Sequence, residues 1–189
     1  KDILGKEAAL NYQEKLIPYL SEKASLIEVK STDPVATDWI NGRRTPDVDH
    51  TLKASFTGLD LSVDAVRIFK MIVEATAFGS RAILERFVNQ GIAINQVVAI
   101  GGVAKKSPYV MQTLSDVLNM PIKVVKSEQA CALGAAINAA VASGVYPNVQ
   151  TAQKMMSSPV EKVYSPRETQ ASIYNTLYQK YIKIGKHSI

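Results

Sequence analysis

An α/β fold is predicted from three features of the second half of the chain. Residues 96–100 read as a buried strand that runs into Gly101-Gly102. Pro108–Leu118 and Ile122–Val125 read as a helix and a short strand, and Ala130–Ala142 as a small-residue helix ended by Ser143-Gly144. Strand, turn, helix, strand, helix is the alternation of α/β domains. The crossover helix imposes parallel pairing on at least part of the sheet.

Toward the N-terminus, residues 4–21 read as a helix, because Ala9, Tyr12, Leu16 and Tyr19 fall at helical spacing. Pro18 falls inside this stretch, where proline ends or kinks a helix. Residues 35–40 are a candidate strand turned by Asn41-Gly42, and residues 52–56 a second one ended by Thr57-Gly58. Ser62 is the expected N-cap of the longest helix, its hydroxyl suited to accept from first-turn amides. Val66, Phe69, Val73, Ala77, Ile83, Leu84 and Phe87 form the apolar stripe of that helix, and Gly91 suits its C-terminal cap. Two helices, Val149–Met156 and residues 167–184, are expected to close the chain. There is no internal repeat, so residues 1–189 are read as one domain.

The 189 residues suffice for one sizeable core. A hydrophobic share of 47% and a charged share of 21% are those of an ordinary globular protein. No apolar run reaches the length of a membrane span, and the first ten residues carry no secretory h-region. The absence of an initiator methionine suggests an excised piece. The single cysteine, Cys131, rules out an internal disulfide, suits a reducing cytoplasm and is expected to be a buried packing residue. The net charge of +5 owes much to Lys180, Lys183 and Lys186 near the end, a solvated helix end rather than a nucleic-acid surface, since basic and aromatic residues do not interleave.

The sharpest local signal is the stretch from Val97 to Ser107, where the strand delivers the chain to Gly101-Gly102 and a helix follows. Glycine lets backbone approach a ligand without a Cβ in the way. A following helix start offers free amides suited to phosphate or ribose oxygens. A plain tight turn explains the same residues, and neither a P-loop nor a dinucleotide fingerprint is present. A second signal, Glu128 to Ala136, is a small-residue helix whose bland reading is close packing. A third, Asn41-Gly42-Arg43-Arg44-Thr45-Pro46, is either a structural loop or a place where arginines meet an anion. Asp47, Asp49 and His50 match no standard metal spacing and read as a polar turn.

These signals, in this order, resemble the carbohydrate kinase family that includes glycerol kinase and xylulokinase. Similar proteins carry a Gly-Glu-Arg-Thr-Pro-like loop, here Gly42-Arg43-Arg44-Thr45-Pro46, and then a strand with Gly-Leu, here Phe56-Thr57-Gly58-Leu59. A helix with Glu-x-x-Ala-Phe follows, here Glu74 to Phe78. The adenosine motif matches Gly101 to Lys105, the Gln-x-x-x-Asp-Val-Leu helix matches Gln112 to Leu118, and the Ala-Leu-Gly-Ala-Ala helix lies within Glu128 to Ala136. The resemblance covers residues 16–189. Ribulokinases look similar in two details: the run Asp38-Trp39-Ile40-Asn41-Gly42-Arg43-Arg44, and one extra residue within Ala104-Lys105-Lys106-Ser107-Pro108.

The resemblance implies an actin-like ATPase (ribonuclease H-like) domain, the C-terminal half of a two-domain sugar kinase. ATP with magnesium would be its cofactor, and a pentulose, L-ribulose first and D-xylulose as the alternative, its substrate, mostly held by sequence outside this chain. Gly101, Gly102 and Val103 would border the phosphates and ribose, with Ala104, Lys105 and Ser107 nearer the base. Glu128 and Gly134 would support that site. The resemblance places no catalytic residue and no magnesium ligand in this chain, so the chain alone is expected to be inactive. A non-catalytic nucleotide- or partner-binding module is the rival reading, and a homo-oligomer is compatible with either.

Overall fold

Two sheets and seven helices build the computed structural model, which describes residues 5–187. Leu4, where the first helix was expected to open, and the side chains of Lys186 and His187 lie outside the described residues. Helix α1 (Lys6–Ser25) carries Pro18 in its interior and continues past it to Ser25. Proline forfeits one backbone hydrogen bond, and the helix continues through the loss.

Strands β1 (Val35–Ala36) and β2 (Phe56–Thr57) pair antiparallel, shorter than the apolar runs around them. Next to them Thr37 donates its amide to the Ser55 carbonyl at 3.0 Å, while its Oγ1 accepts from the Ser55 amide at 2.9 Å. The connecting loop is held by Arg43 and Asp49, which exchange backbone hydrogen bonds of 2.8 Å.

Helix α2 (Ala65–Asn89) is capped by Asp64, whose side chain accepts from the Arg67 amide. This corrects the expectation for Ser62. The Asp60 carboxylate takes both the Ser62 amide and the Ser62 hydroxyl, at 2.8 and 2.6 Å, so Ser62 closes the preceding turn. Past the other end, Gly91 takes φ 82°, as the expected glycine cap requires.

Strand β3 (Val97–Ala99) leads to the short helix α3 (Gly102–Lys106) and then to α4 (Pro108–Leu118). Strand β4 (Ile122–Val125) pairs parallel with β3, in the register Val97 to Ile122 through Ala99 to Val124. Helix α5 (Ala130–Ala142) and helix α6 (Val149–Met156) follow where expected. Strand β5 (Val160–Tyr164), which the sequence reading passed over, pairs antiparallel with β4 and completes the order β3-β4-β5. Helix α7 (Glu168–His187) ends the described chain.

Two expectations of burial fail. Val98 is 45% exposed because it alternates to the sheet face opposite the one where Val97 and Ala99 pack with α3 and α4. Cys131 is exposed because α5 buries only Ile137 and packs on α6, leaving its first turn outside.

The main core forms where α7 crosses α2 and the β1 region. Tyr174, Leu177, Tyr178 and Tyr181 lie three or four residues apart, so they share one face of α7. They pack on Phe78 of α2 and on Trp39, and burying each large side chain contributes about 1.5–3 kcal/mol. Every one of these tyrosines donates its hydroxyl to a carboxylate: Tyr174 to Glu74 at 2.9 Å, Tyr178 to Glu85 at 2.8 Å, Tyr181 to Asp38 at 2.9 Å. Buried phenols need such partners. Burial, together with the neighbouring carboxylates, pushes all three phenols up and keeps them as donors. A smaller core joins Ala104 and Met111 to Ile122, Val124 and Tyr164, seating α3 and α4 on the sheet.

Candidate nucleotide site

The carboxyl ends of β3 and β4 face the same edge of the sheet, because the two strands run parallel. In α/β folds ligands bind outside the carboxyl ends of strands. The chain leaving β3 there turns at Gly101, with φ 86° and ψ −177°. That conformation is essentially restricted to glycine. Gly102 has no such demand. It is the first residue of α3, and a Cβ built on it meets nothing within 4 Å. One glycine of the pair therefore makes the turn, and the other keeps space open in front of it.

That space joins a cavity of about 670 Å³ between α1, α2 and the starts of α3 and α4. Gly102, Val103 and Ser107 line it together with Ile17 and Pro18 of α1. Phe69 and Tyr109 form its floor, stacked with ring centroids 6.3 Å apart. Burial, then the Glu74 charge, pushes the Tyr109 phenol up, so it stays neutral. The size and the mostly apolar lining are those of a small-molecule pocket.

The residues singled out from the sequence divide here. Gly102, Val103 and Ser107 reach the cavity, with Val103 63% exposed. Gly101, next to Gly102 in the chain, is not among the residues that line it. Ala104 packs into the smaller core. The Lys105 ammonium lies 2.7 Å from Glu161 of β5 and donates to the Lys126 carbonyl at 2.6 Å. Glu128 is exposed, and Gly134 accepts from the Asn138 side chain at 2.9 Å within α5.

The arginine loop is tied to the protein itself. Arg43 lies over the Trp39 ring at 5.0 Å and donates to the Asp47 carbonyl at 2.8 Å. The Asp47 carboxylate accepts from Arg86, and Asp49 accepts the Thr51 amide and hydroxyl at 2.9 and 2.6 Å. These bonds account for the acidic turn. Among the described residues no group of three or more His, Cys, Asp or Glu side chains could hold a metal ion.

Sequence reasoning missed the network behind the cavity. Lys70 and Glu74 lie one turn apart on α2, both buried, with Lys70 2.7 Å from Glu74 and 2.8 Å from Asp33. Burial raises the Glu74 pKa against the opposing pull of Lys70. The i,i+4 spacing of opposite charges was a visible signal, but it usually marks a solvated helix face. Here α7 and the segment carrying Asp33 cover it.

Residues 6–143 match the model of the FGGY family of carbohydrate kinases, C-terminal domain. The chain is 46% identical over 173 residues to a ribulokinase of Vibrio parahaemolyticus, covering 92% of this chain and 30% of that protein. It is 39% identical over 166 residues to a ribulokinase of Bacillus licheniformis, covering 86% and 30%. It thus spans about a third of the length of the curated relatives it matches. A xylulose kinase structure from Rhodospirillum rubrum superposes with a TM-score of 0.80 at 22% identity, covering 98% of this chain and 37% of that one. That likeness shows the fold, an α/β domain of the actin-like ATPase class. With the match over residues 6–143, it shows that the chain belongs to the FGGY family of carbohydrate kinases, as a C-terminal domain.

Proposed function

We propose that this chain is the nucleotide-binding C-terminal part of an ATP-dependent L-ribulokinase. In the whole protein the terminal hydroxyl oxygen of L-ribulose attacks the γ-phosphorus of ATP. The bond to the β-phosphate oxygen breaks, ADP leaves, and the hydroxyl proton passes to a base outside this chain. The observation that carries the reading is the Gly101-Gly102 turn, opening at the carboxyl end of β3 onto the apolar cavity. Similarity to two ribulokinases supports the choice of sugar.

The cavity fits the nucleotide. Its apolar floor of Phe69 and Tyr109 suits a planar base, and the missing Cβ at Gly102 leaves room for ribose and phosphate. Bound ATP supplies the transferable phosphoryl group, while this chain holds and orients it. Positioning and charge stabilisation are most of phosphoryl-transfer catalysis. Magnesium would arrive on the nucleotide's phosphates, as is usual for this ion. The reaction belongs in the cytoplasm, where ATP is made and where a free thiol such as Cys131 persists.

The test is a coupled ADP-release assay on the full-length kinase with ATP, magnesium and a panel of pentuloses. Turnover is expected with L-ribulose at a kcat/KM well above that with D-xylulose. Preference for D-xylulose would replace the sugar, and ATP turnover indifferent to every sugar would overturn the reading.

A further inference from the structure

Helix α3 carries the nucleotide turn, yet little holds it in place. It is five residues long, and neither Gly101 nor Ser107 caps it with a side chain. Ala104 is its one buried residue. Besides its contact with α4, its side-chain polar anchor is Lys105, whose ammonium spans two separate segments of the sheet. One contact is the Glu161 carboxylate on β5, the other the carbonyl of Lys126, just beyond β4. That junction is itself braced. The Lys126 amide donates to the Pro159 carbonyl at 2.9 Å, and the Ser127 amide to the Ser158 hydroxyl at 2.7 Å. The neighbouring Lys106, in contrast, lines the cavity.

We propose that Lys105 is a positioning residue for the nucleotide turn and not a ligand of the nucleotide: through Glu161 and the Lys126 carbonyl it pins α3, and with it Gly101 and Gly102, to the ends of β4 and β5. The proposal rests on the nucleotide reading of that turn given above. Two of the three ammonium protons are committed to these partners, and Lys105 is not among the residues that line the cavity. Glu161 lies outside the cavity lining, so its effect on ATP use is expected to come through Lys105. The pair is partly exposed, so its direct contribution to stability is small. Its leverage is geometric, since small misplacements of a bound reactant slow transfer steeply.

The experiment uses the full-length kinase, with steady-state kinetics for ATP and for L-ribulose. Lys105→Met and Glu161→Gln should each raise KM for ATP about threefold to tenfold, with KM for L-ribulose unmoved. The exchanged pair, Lys105→Glu with Glu161→Lys, should recover most of the loss. A residue that contacts the nucleotide would not be rescued by moving its charge to β5. Normal ATP kinetics in Glu161→Gln, or an exchange no better than Lys105→Glu alone, overturns the proposal. A lowered melting temperature with unchanged KM for ATP also overturns it, by reducing the pair to a structural tie. If Lys105→Met fails to fold, Glu161→Gln, at a half-exposed carboxylate, decides the matter alone. Failure of the nucleotide reading looks different: Gly102→Val in the same enzyme would then leave KM for ATP at the parent's value.

Discussion

Tyr181 on α7 donates its hydroxyl to Asp38 at 2.9 Å, tying the last helix to the loop that follows β1. Burial raises the Asp38 pKa above its ordinary value of 3.8, against the lowering effect of the Tyr181 hydrogen bond. The folded state therefore holds this proton more tightly than the unfolded chain. Stability from Asp38 is fully present below the unfolded pKa and is lost as pH rises through the folded one. Asp38→Asn keeps an oxygen for Tyr181 and removes the titration. Urea unfolding between about pH 4 and pH 7 should show the variant gaining on the parent as pH rises. A pH-independent difference would contradict this.

Gly185 lies against the Trp39 indole so closely that a Cβ would stand 2.7 Å from the ring. Overpacking of this kind costs about 1–3 kcal/mol. Gly185→Ala should lower stability by that amount in denaturant titrations. Trp39→Phe, which shrinks the ring, should make the second substitution cheaper in a double-mutant cycle. Strict additivity would mean that the two residues do not meet.

Tyr174→Phe removes the hydroxyl donated to the buried Glu74 carboxylate. Lys70 still reaches that carboxylate at 2.7 Å, so its charge stays paired while one acceptor site goes unfilled. A loss of about 1–3 kcal/mol is expected from chemical unfolding. A neutral outcome would show that the Lys70 contact suffices for Glu74.

Apolar residues on the open sheet face and beside it, Val98, Ile100 and Val163, are each about half exposed, and α5 presents alanines to solvent. Exposed apolar patches favour association. The 189-residue chain produced alone should elute above monomer mass by size-exclusion chromatography with light scattering. A clean monomer at high concentration, with a sharp thermal transition, would count against this.

The α/β alternation was legible because it is written in local patterns. The β3–Gly101 turn, α4 and its proline start, and the small-residue helix α5 each carry their own punctuation. β5 was not legible, because Glu161 and Lys162 interrupt its apolar residues and its partner β4 lies far back in the chain. Backbone type singled out Gly101 and Gly102, and the family resemblance added Val103 and Ser107; of these four, Gly102, Val103 and Ser107 line the cavity. The inward packing of Ala104 and the reach of Lys105 to Glu161 depend on a strand that sequence patterning did not reveal. The buried Lys70–Glu74 pair was hidden for a similar reason, since helical spacing gives the pairing but not what covers it.

In the proposed function, Gly102 keeps open the space that ATP would fill. The structure separates its role from that of Gly101. A side chain at Gly101 is strained by its φ of 86°, which costs about 1–3 kcal/mol wherever the ligand lies. A Cβ at Gly102 meets no atom within 4 Å beyond its own chain neighbours, so a substitution there is expected to leave the fold intact. The direct test is Gly102→Val in the full-length kinase, with steady-state kinetics for both substrates and thermal unfolding of the same preparation. The expected result is a melting temperature close to the parent's, a KM for ATP raised by about tenfold or more, a reduced kcat if the γ-phosphate shifts by about 1 Å, and a KM for L-ribulose little changed. A stable, folded variant with the parent's KM for ATP and kcat would contradict it.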